Sequence, residues 1–230
     1  MWDDHRLLNA LASTLYVMVG IAIAYALGVA IVRLPIFPIR ALEISGRIVH
    51  TTHDQVQEIV TRELKGNFFT LNLEQSRAAF EKLPWVRKAN VRRQWPDRLQ
   101  VELEEQVAVA RWGDTALVNN YAEVFQAASN ETLPVFVGPD GTAPDVFRHY
   151  ESFARTLSVL GKRPKEIALS DRGAWRLKLD DGQLLELGRD QMDERLQRFV
   201  AAYPRTIAQL PAARLRIDLR YPNGFTVRGS

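Results

Sequence analysis

Hydrophobic residues along this chain fall into three regimes. From 10 to 32 the run ALASTLYVMVGIAIAYALGVAIV carries no charge, and its 23 residues as a helix rising about 1.5 Å each exceed a hydrocarbon layer of roughly 30 Å. A transmembrane helix is therefore expected over 10–33, behind a short N-terminal tail at 1–9, with Arg33 and Pro35 closing it. After that the pattern shortens. Residues 39–44 alternate as a strand that ends at Ser45 and Gly46. Thr52 and Gln55 stand at capping-box spacing ahead of Val56, Ile59, Val60 and Leu64, predicting a helix that stops at Gly66 and Asn67. A second helix fits 73–83, closed by Pro84. Beyond Trp85 the period becomes two: Ala89, Val91, Arg93 and Trp95, then Leu99, Val101 and Leu103 across a turn at 96–98. An odd-length connection keeps Val91 and Leu103 on one face, and this register sets Arg92 opposite Glu102.

From 113 onward short strands and two helices are predicted. The segments 115–120, 123–127 and 135–137 are strand-like and separated by turn residues. Val146, Tyr150, Phe153, Leu157 and Leu160 form an apolar helical stripe, stopped by Gly161 and Pro164. Residues 175–179 and 183–187 flank Asp180, Asp181 and Gly182, a strong hairpin signal. Met192, Leu196, Phe199, Val200 and Tyr203 repeat the helical spacing ahead of Pro204. A strand at 215–219 follows, then a Pro-Asn-Gly turn and a last short strand with few residues left to cover its outer edge.

Composition changes this picture little. The 47% hydrophobic and 25% charged content suits an anchor plus about two small globular domains. Thirty Lys and Arg against 27 Asp and Glu give a net charge of +3, too mild to force attraction to nucleic acid. The basic strand containing Arg87, Lys88, Arg92 and Arg93 lies beside an acidic one, so cross-strand pairs are expected to neutralise it. The absence of cysteine removes disulfides, thiolate nucleophiles and Cys-ligated zinc. His50 and His53 straddle the capping Thr52 with no third ligand nearby, a turn rather than a zinc site. No Gly-rich phosphate loop, nucleophile elbow or acidic cluster outside turns and solvated faces is present.

Charge does not orient the anchor, because Arg6 precedes it while Arg33, Arg40 and Arg47 follow. A cleaved signal peptide is the alternative to a membrane span, but its apolar region is typically 7–15 residues and needs a small-residue cleavage site. Gly20, Ala24 and Gly28 stand at small-xxx-small spacings that suit helix packing. The residues leave two readings of the last strand: a solvated edge after a simple turn, or a backbone edge that receives a partner strand.

The order helix, then strand-helix-helix-strand-strand, resembles the POTRA module of the FtsQ/DivIB family. The resemblance is densest in VRRQWPDRLQVELEEQVAVARW, with Val107 where the family often has proline, a backbone position that a β-branched residue can hold. It continues in Leu187-Gly188-Arg189, in Arg198, Phe199, Val200, Tyr203 and Pro204, and in Asp218 to Tyr221 before the last strand. It spans nearly the whole chain in the family's order.

That resemblance implies an α+β protein: a transmembrane helix, a POTRA domain over 36–112 and a mixed, mainly antiparallel β domain with two helices over 113–230. It implies a non-enzymatic cell division scaffold without cofactors, single-pass in the bacterial inner membrane at the septum, with the N-terminus cytoplasmic and the bulk periplasmic. It further implies binding of FtsB, paired with FtsL, by strand addition at the C-terminal strand, and of other divisome proteins through the POTRA domain and membrane helix. Carried over by position, the partner-binding residues are Arg172, Arg220, Tyr221, Asn223, Gly224, Phe225, Thr226 and Val227. Gly173 stands where a second basic residue would neighbour Arg172, so Arg176 is the alternative arginine. The rival readings are an outer-membrane assembly or secretion factor, which usually carries several POTRA modules and a barrel, and a membrane-anchored periplasmic enzyme.

Overall fold

A computed structural model describes residues 5–34, 36–210, 215–221 and 224–229. Helix α1 (His5–Arg33) carries the uncharged run. Its segment Asn9–Arg33 is long and apolar enough to cross a membrane, and its most apolar stretch is not buried among the described residues. The chain divides into two compact units after Glu105.

In the first unit α1 is followed by β1 (Ala41–Ser45), α2 (His53–Glu63), α3 (Leu73–Phe80), β2 (Val86–Gln94) and β3 (Arg98–Glu105). The capping box forms as expected: the Thr52 hydroxyl accepts from Gln55 N–H and the Gln55 side chain accepts from Thr52 N–H. Asn72 caps α3 from one side only, its Oδ1 accepting Gln75 N–H at 3.0 Å. The strands form one sheet in the order β1-β3-β2, with β1 parallel and β2 antiparallel to β3. Val91, Leu99, Val101 and Leu103 face Val56 and Phe80 of the helices in a closed core. The hairpin connects through Trp95, Pro96 and Asp97, one residue earlier than expected, because Gln94 already pairs with Arg98. Parity, and so the buried face, is preserved, but the partners change. Arg92 lies opposite Gln100 rather than Glu102, with Arg92 Nε donating to Gln100 Oε1 at 3.0 Å.

The expected neutralisation of the basic strand is therefore only partial. Arg87 meets Glu104 at 2.9 Å, but Arg93 binds backbone, donating from Nη2 to the Leu71 carbonyl at 2.6 Å and to the Phe69 carbonyl at 3.2 Å. Glu105 ends β3 and closes the far end of this unit. Its carboxylate accepts the N–H groups of Val49 at 2.7 Å, His50 at 3.0 Å and Thr51 at 2.6 Å. His50 itself stacks on Trp85 at 3.8 Å.

The second unit holds β4 (Ala108–Trp112), β5 (Ala116–Asn119), β6 (Val124–Phe125), β7 (Val135–Val137), α4 (Ala143–Leu157), β8 (Pro164–Leu169), β9 (Trp175–Leu179), β10 (Leu184–Gly188), α5 (Met192–Ala202), β11 (Leu215–Asp218) and β12 (Thr226–Gly229). One sheet runs β12-β11-β10-β9-β8-β7-β4-β5-β6. It is mixed and mainly antiparallel; β4 with β7, β7 with β8, and β10 with β11 are its parallel pairs. Both helices pack on one face, over a core that includes Phe136, Phe153, Ile167, Leu177, Leu185, Phe199 and Ile217.

Two features depart from the sequence expectation. The strand at 108–112, counted with the first domain, pairs instead with β5 and β7 of this sheet. Pro164, expected only to stop a helix, opens β8, a first-strand position at which its missing N–H costs no ladder bond.

Candidate functional site

The site is built where several strands end together. Trp175 at the start of β9 registers with Gly188 at the end of β10, and Glu186 registers with Asp218, which in turn faces Thr226. The turn holding Arg172, the Gly188-Arg189 exit from β10, the Arg220-Tyr221 exit from β11 and the entry to β12 consequently share one end of the sheet.

At that end β12 is the outermost strand. It pairs antiparallel with β11, and among the described residues no strand pairs with its other side. Alternation divides its side chains. Phe225 and Val227 pack against the core, with Phe225 6.3 Å from Phe199 ring to ring. Thr226 and Arg228 are exposed, as is Gly224. A strand pinned from one face and open along its edge presents preformed N–H and C=O groups to an incoming chain.

Arg220 is exposed but not idle. Its Nε donates to Asp218 Oδ1 at 2.9 Å, its Nη2 to Asp218 Oδ2 at 2.6 Å, and its backbone N–H to Asp218 Oδ1 at 3.0 Å. Hydrogen bonding to the Arg220 guanidinium holds the Asp218 carboxyl below its ordinary range, against the opposing effect of partial burial. The same pairing pushes Arg220 up. Glu186, on the neighbouring strand, pairs with Arg216 and lies 3.8 Å from Arg220. The adjacent Tyr221 is 50% exposed.

Gly188 makes room for this arrangement. Its φ is +78°, and a Cβ there would sit 3.1 Å from Arg220 Cγ and 2.8 Å from Arg195 Nη1. The stem of Arg220 thus passes over a position where a side chain would push it aside.

Arg172 is exposed in the turn between β8 and β9, with its carbonyl 3.5 Å from Arg189 Nη1. It shares the sheet end with Arg220 but does not border the edge strand, since β10 and β11 intervene between β9 and β12. At about 4.8 Å per strand spacing, β9 lies about 14 Å from β12. Across β7 to β10 at this end of the sheet, a groove of about 480 Å³ is lined by Ala168, Ser170, Arg176, Glu186, Gly188 and Arg220 among others, and Arg220 stands on its side toward β12. Arg176, the alternative arginine, therefore joins this groove, registered against Glu186. Asn223 lies outside the described residues.

Glu186, Arg216 and Gly188 were not singled out from sequence as parts of this site. The alternation Arg216, Asp218, Arg220 against buried Leu215, Ile217 and Leu219 is the signal that sets Arg216 on one polar face with Asp218 and Arg220. The chemistry assembled is guanidinium–carboxylate pairing beside an open backbone edge, which suits binding. Among the described residues no cluster of three or more His, Asp or Glu is placed to hold a metal ion.

Comparison with known proteins agrees along the whole length. Residues 37–106 match the model of the POTRA domain, FtsQ-type, and residues 110–220 match that of cell division protein FtsQ/DivIB, C-terminal. The cell division protein FtsQ of Nitrosospira multiformis is 40% identical over 235 residues, covering 100% of both chains. That of Burkholderia pseudomallei is also 40% identical, over all of this chain and 95% of its own. With two domain models in the family's order and full-length relatives at this identity, the chain belongs to the FtsQ/DivIB family of cell division proteins.

Proposed function

We propose that this protein is a non-enzymatic division scaffold, anchored in the inner membrane by α1 with its N-terminus cytoplasmic and both folded units periplasmic. In this reading it recruits FtsB, paired with FtsL, by strand addition on β12. The observation that carries the reading is the open outer edge of β12 at the end of the sheet, with Phe225 and Val227 anchored in the core behind it.

Each residue then has a physical role. Backbone groups of 224–227 supply hydrogen bonds to the added strand, and the alternate exposed side chains select it. Tyr221 offers a rigid aromatic surface with a polar tip beside that strand. Arg220, held by Asp218, fixes the turn that feeds β12. A partner that continues past the added strand, across the strand ends, reaches the groove with Arg176 and then Arg172, where an acidic residue would pair. The POTRA domain and α1 remain available to other divisome proteins.

The experiment is binding of the purified FtsB–FtsL pair to the detergent-solubilised full chain. Tyr221→Ala and Phe225→Glu are each expected to abolish capture while circular dichroism remains that of the parent. Unchanged affinity in both variants would remove β12 as the partner site.

A further inference from the structure

The end of the first unit that adjoins the membrane helix carries an unusual concentration of exposed apolar side chains. Trp95 is 81% exposed, Ile36 63% and Phe69 45%. They are held together rather than scattered. Arg40 N–H donates to the Asp97 carbonyl at 2.9 Å, tying the chain leaving α1 to the β2–β3 hairpin tip. Phe68 N–H donates to the Phe37 carbonyl at 2.9 Å, and Phe37 and Phe68 both meet Phe69 edge-on at 5.1 and 5.3 Å. Arg93, two residues before Trp95, grips the carbonyls of the same loop.

This platform is fastened to the end of the membrane helix itself. The buried Asn67 side chain donates from Nδ2 to the Val32 and Leu34 carbonyls, both at 2.8 Å, while its Oδ1 accepts Phe69 N–H at 3.0 Å and Thr70 N–H at 2.9 Å. The uncharged run ends at Val32, so the hydrocarbon boundary lies near that residue. A loop in hydrogen-bond contact with the last turn of α1 therefore sits at headgroup depth, since the interfacial layers add only about 5–8 Å on each side. Indole rings favour that layer, exposed phenyl and aliphatic side chains lose contact with water on entering its acyl boundary, and basic side chains there meet lipid phosphates. Arg33 and the 74% exposed Arg40 side chain occupy the same end.

We propose that the hairpin tip and the Phe69 loop form a second, shallow membrane contact, with Trp95, Phe69 and Ile36 seated in the headgroup layer of the bilayer that α1 crosses. The contact rests on the reading of α1 as a membrane span. It would hold the POTRA domain at a set tilt on the membrane instead of leaving it on a free tether.

The absence of cysteine makes the test direct. Full-length protein carrying a single Gln94→Cys or Val49→Cys, labelled with an environment-sensitive fluorophore, is reconstituted in phosphatidylethanolamine–phosphatidylglycerol vesicles that contain a headgroup-proximal spin-labelled lipid. Val49 is the control: it is exposed and bonded to Glu105, at the end of β3 opposite the hairpin. The Gln94 probe is expected to be quenched several-fold more than the Val49 probe, and Trp95→Ser with Phe69→Ser to bring it down to the Val49 level. Equal quenching at both positions, or quenching unmoved by the double substitution, would overturn the contact. So would energy transfer between Gln94 probes on separate copies that accounts for the signal, because the patch would then cover a second chain. Resistance to alkaline extraction, read on the same vesicles, tests the span separately. Extractable protein defeats the span and the contact together, whereas resistant protein with an unquenched Gln94 probe defeats the contact alone.

Discussion

Arg220 and Asp218, two residues apart, form a two-point ion pair in which Nε and Nη2 of the guanidinium reach the two carboxylate oxygens at 2.9 and 2.6 Å. Because the Arg220 N–H binds the same carboxylate at 3.0 Å, one side chain organises the whole exit from β11 toward the edge strand.

Asp218→Asn is expected to weaken partner binding roughly tenfold, the scale of a lost charge-assisted contact, while thermal unfolding of the domain changes by only a few degrees. Titration calorimetry with the FtsB–FtsL pair checks it. The sign of the pH dependence follows from the direction of the shift. Asp218 has a folded pKa below its unfolded value, so its contribution is complete above the unfolded pKa, about 3.9, and is lost as pH falls through the folded one. The variant should therefore lose part of the acid sensitivity of the parent.

Glu105→Ala is expected to destabilise the first domain by about 2–3 kcal/mol, because removing a 5% exposed carboxylate leaves the Val49, His50 and Thr51 N–H groups without their acceptor. Burial raises the pKa of this carboxyl, yet the Val49, His50 and Thr51 N–H donors outweigh it and leave the group below its ordinary range. Its stabilisation is present above the unfolded value, about 4.3, and disappears as pH falls through the folded one. Urea unfolding across pH 3 to 7 should show a slope in the parent that flattens in Glu105→Gln.

Gly46→Ala is expected to cost at least about 2 kcal/mol. Gly46 has φ of +124°, and a Cβ there would lie 2.1 Å from the Leu103 carbonyl oxygen, a backbone atom of the central strand that cannot turn away. Tm and hydrogen exchange at Leu103 measure the effect; an unchanged Tm would show that β1 can shift without loss.

Apart from β4 and β8, the elements were legible from residues because each rests on short-range chemistry. Thr52 with Gln55 announces a helix start, Asp181-Gly182 a hairpin, and Leu177 and Leu179 a buried strand face, all within a few positions of chain. The other differences concern which strands and residues pair, not which segments are strands. The one-residue difference in the hairpin connection moved Arg92 from Glu102 to Gln100 without altering which side chains are buried, so hydrophobic patterning could not detect it. Residues 108–112 fall inside the first domain's sequence bounds, and only the pairing of β4 with β5 and β7 assigns them to the second sheet.

The candidate site divides the same way. The uncharged run, the alternating Leu215, Ile217 and Leu219, and the turn before the last strand are local patterns, and they determined a helix long and apolar enough to cross a membrane, a buried β11 and a short strand after it. That β12 stands outermost among the described strands, that Arg172 lies three strand spacings inside it, and that the stem of Arg220 crosses Gly188, were decided by tertiary structure. The physical reason is that strand order, and which side chain crosses which strand, depend on groups brought together from distant parts of the chain, and an alternating pattern is the same whichever neighbour a strand finds.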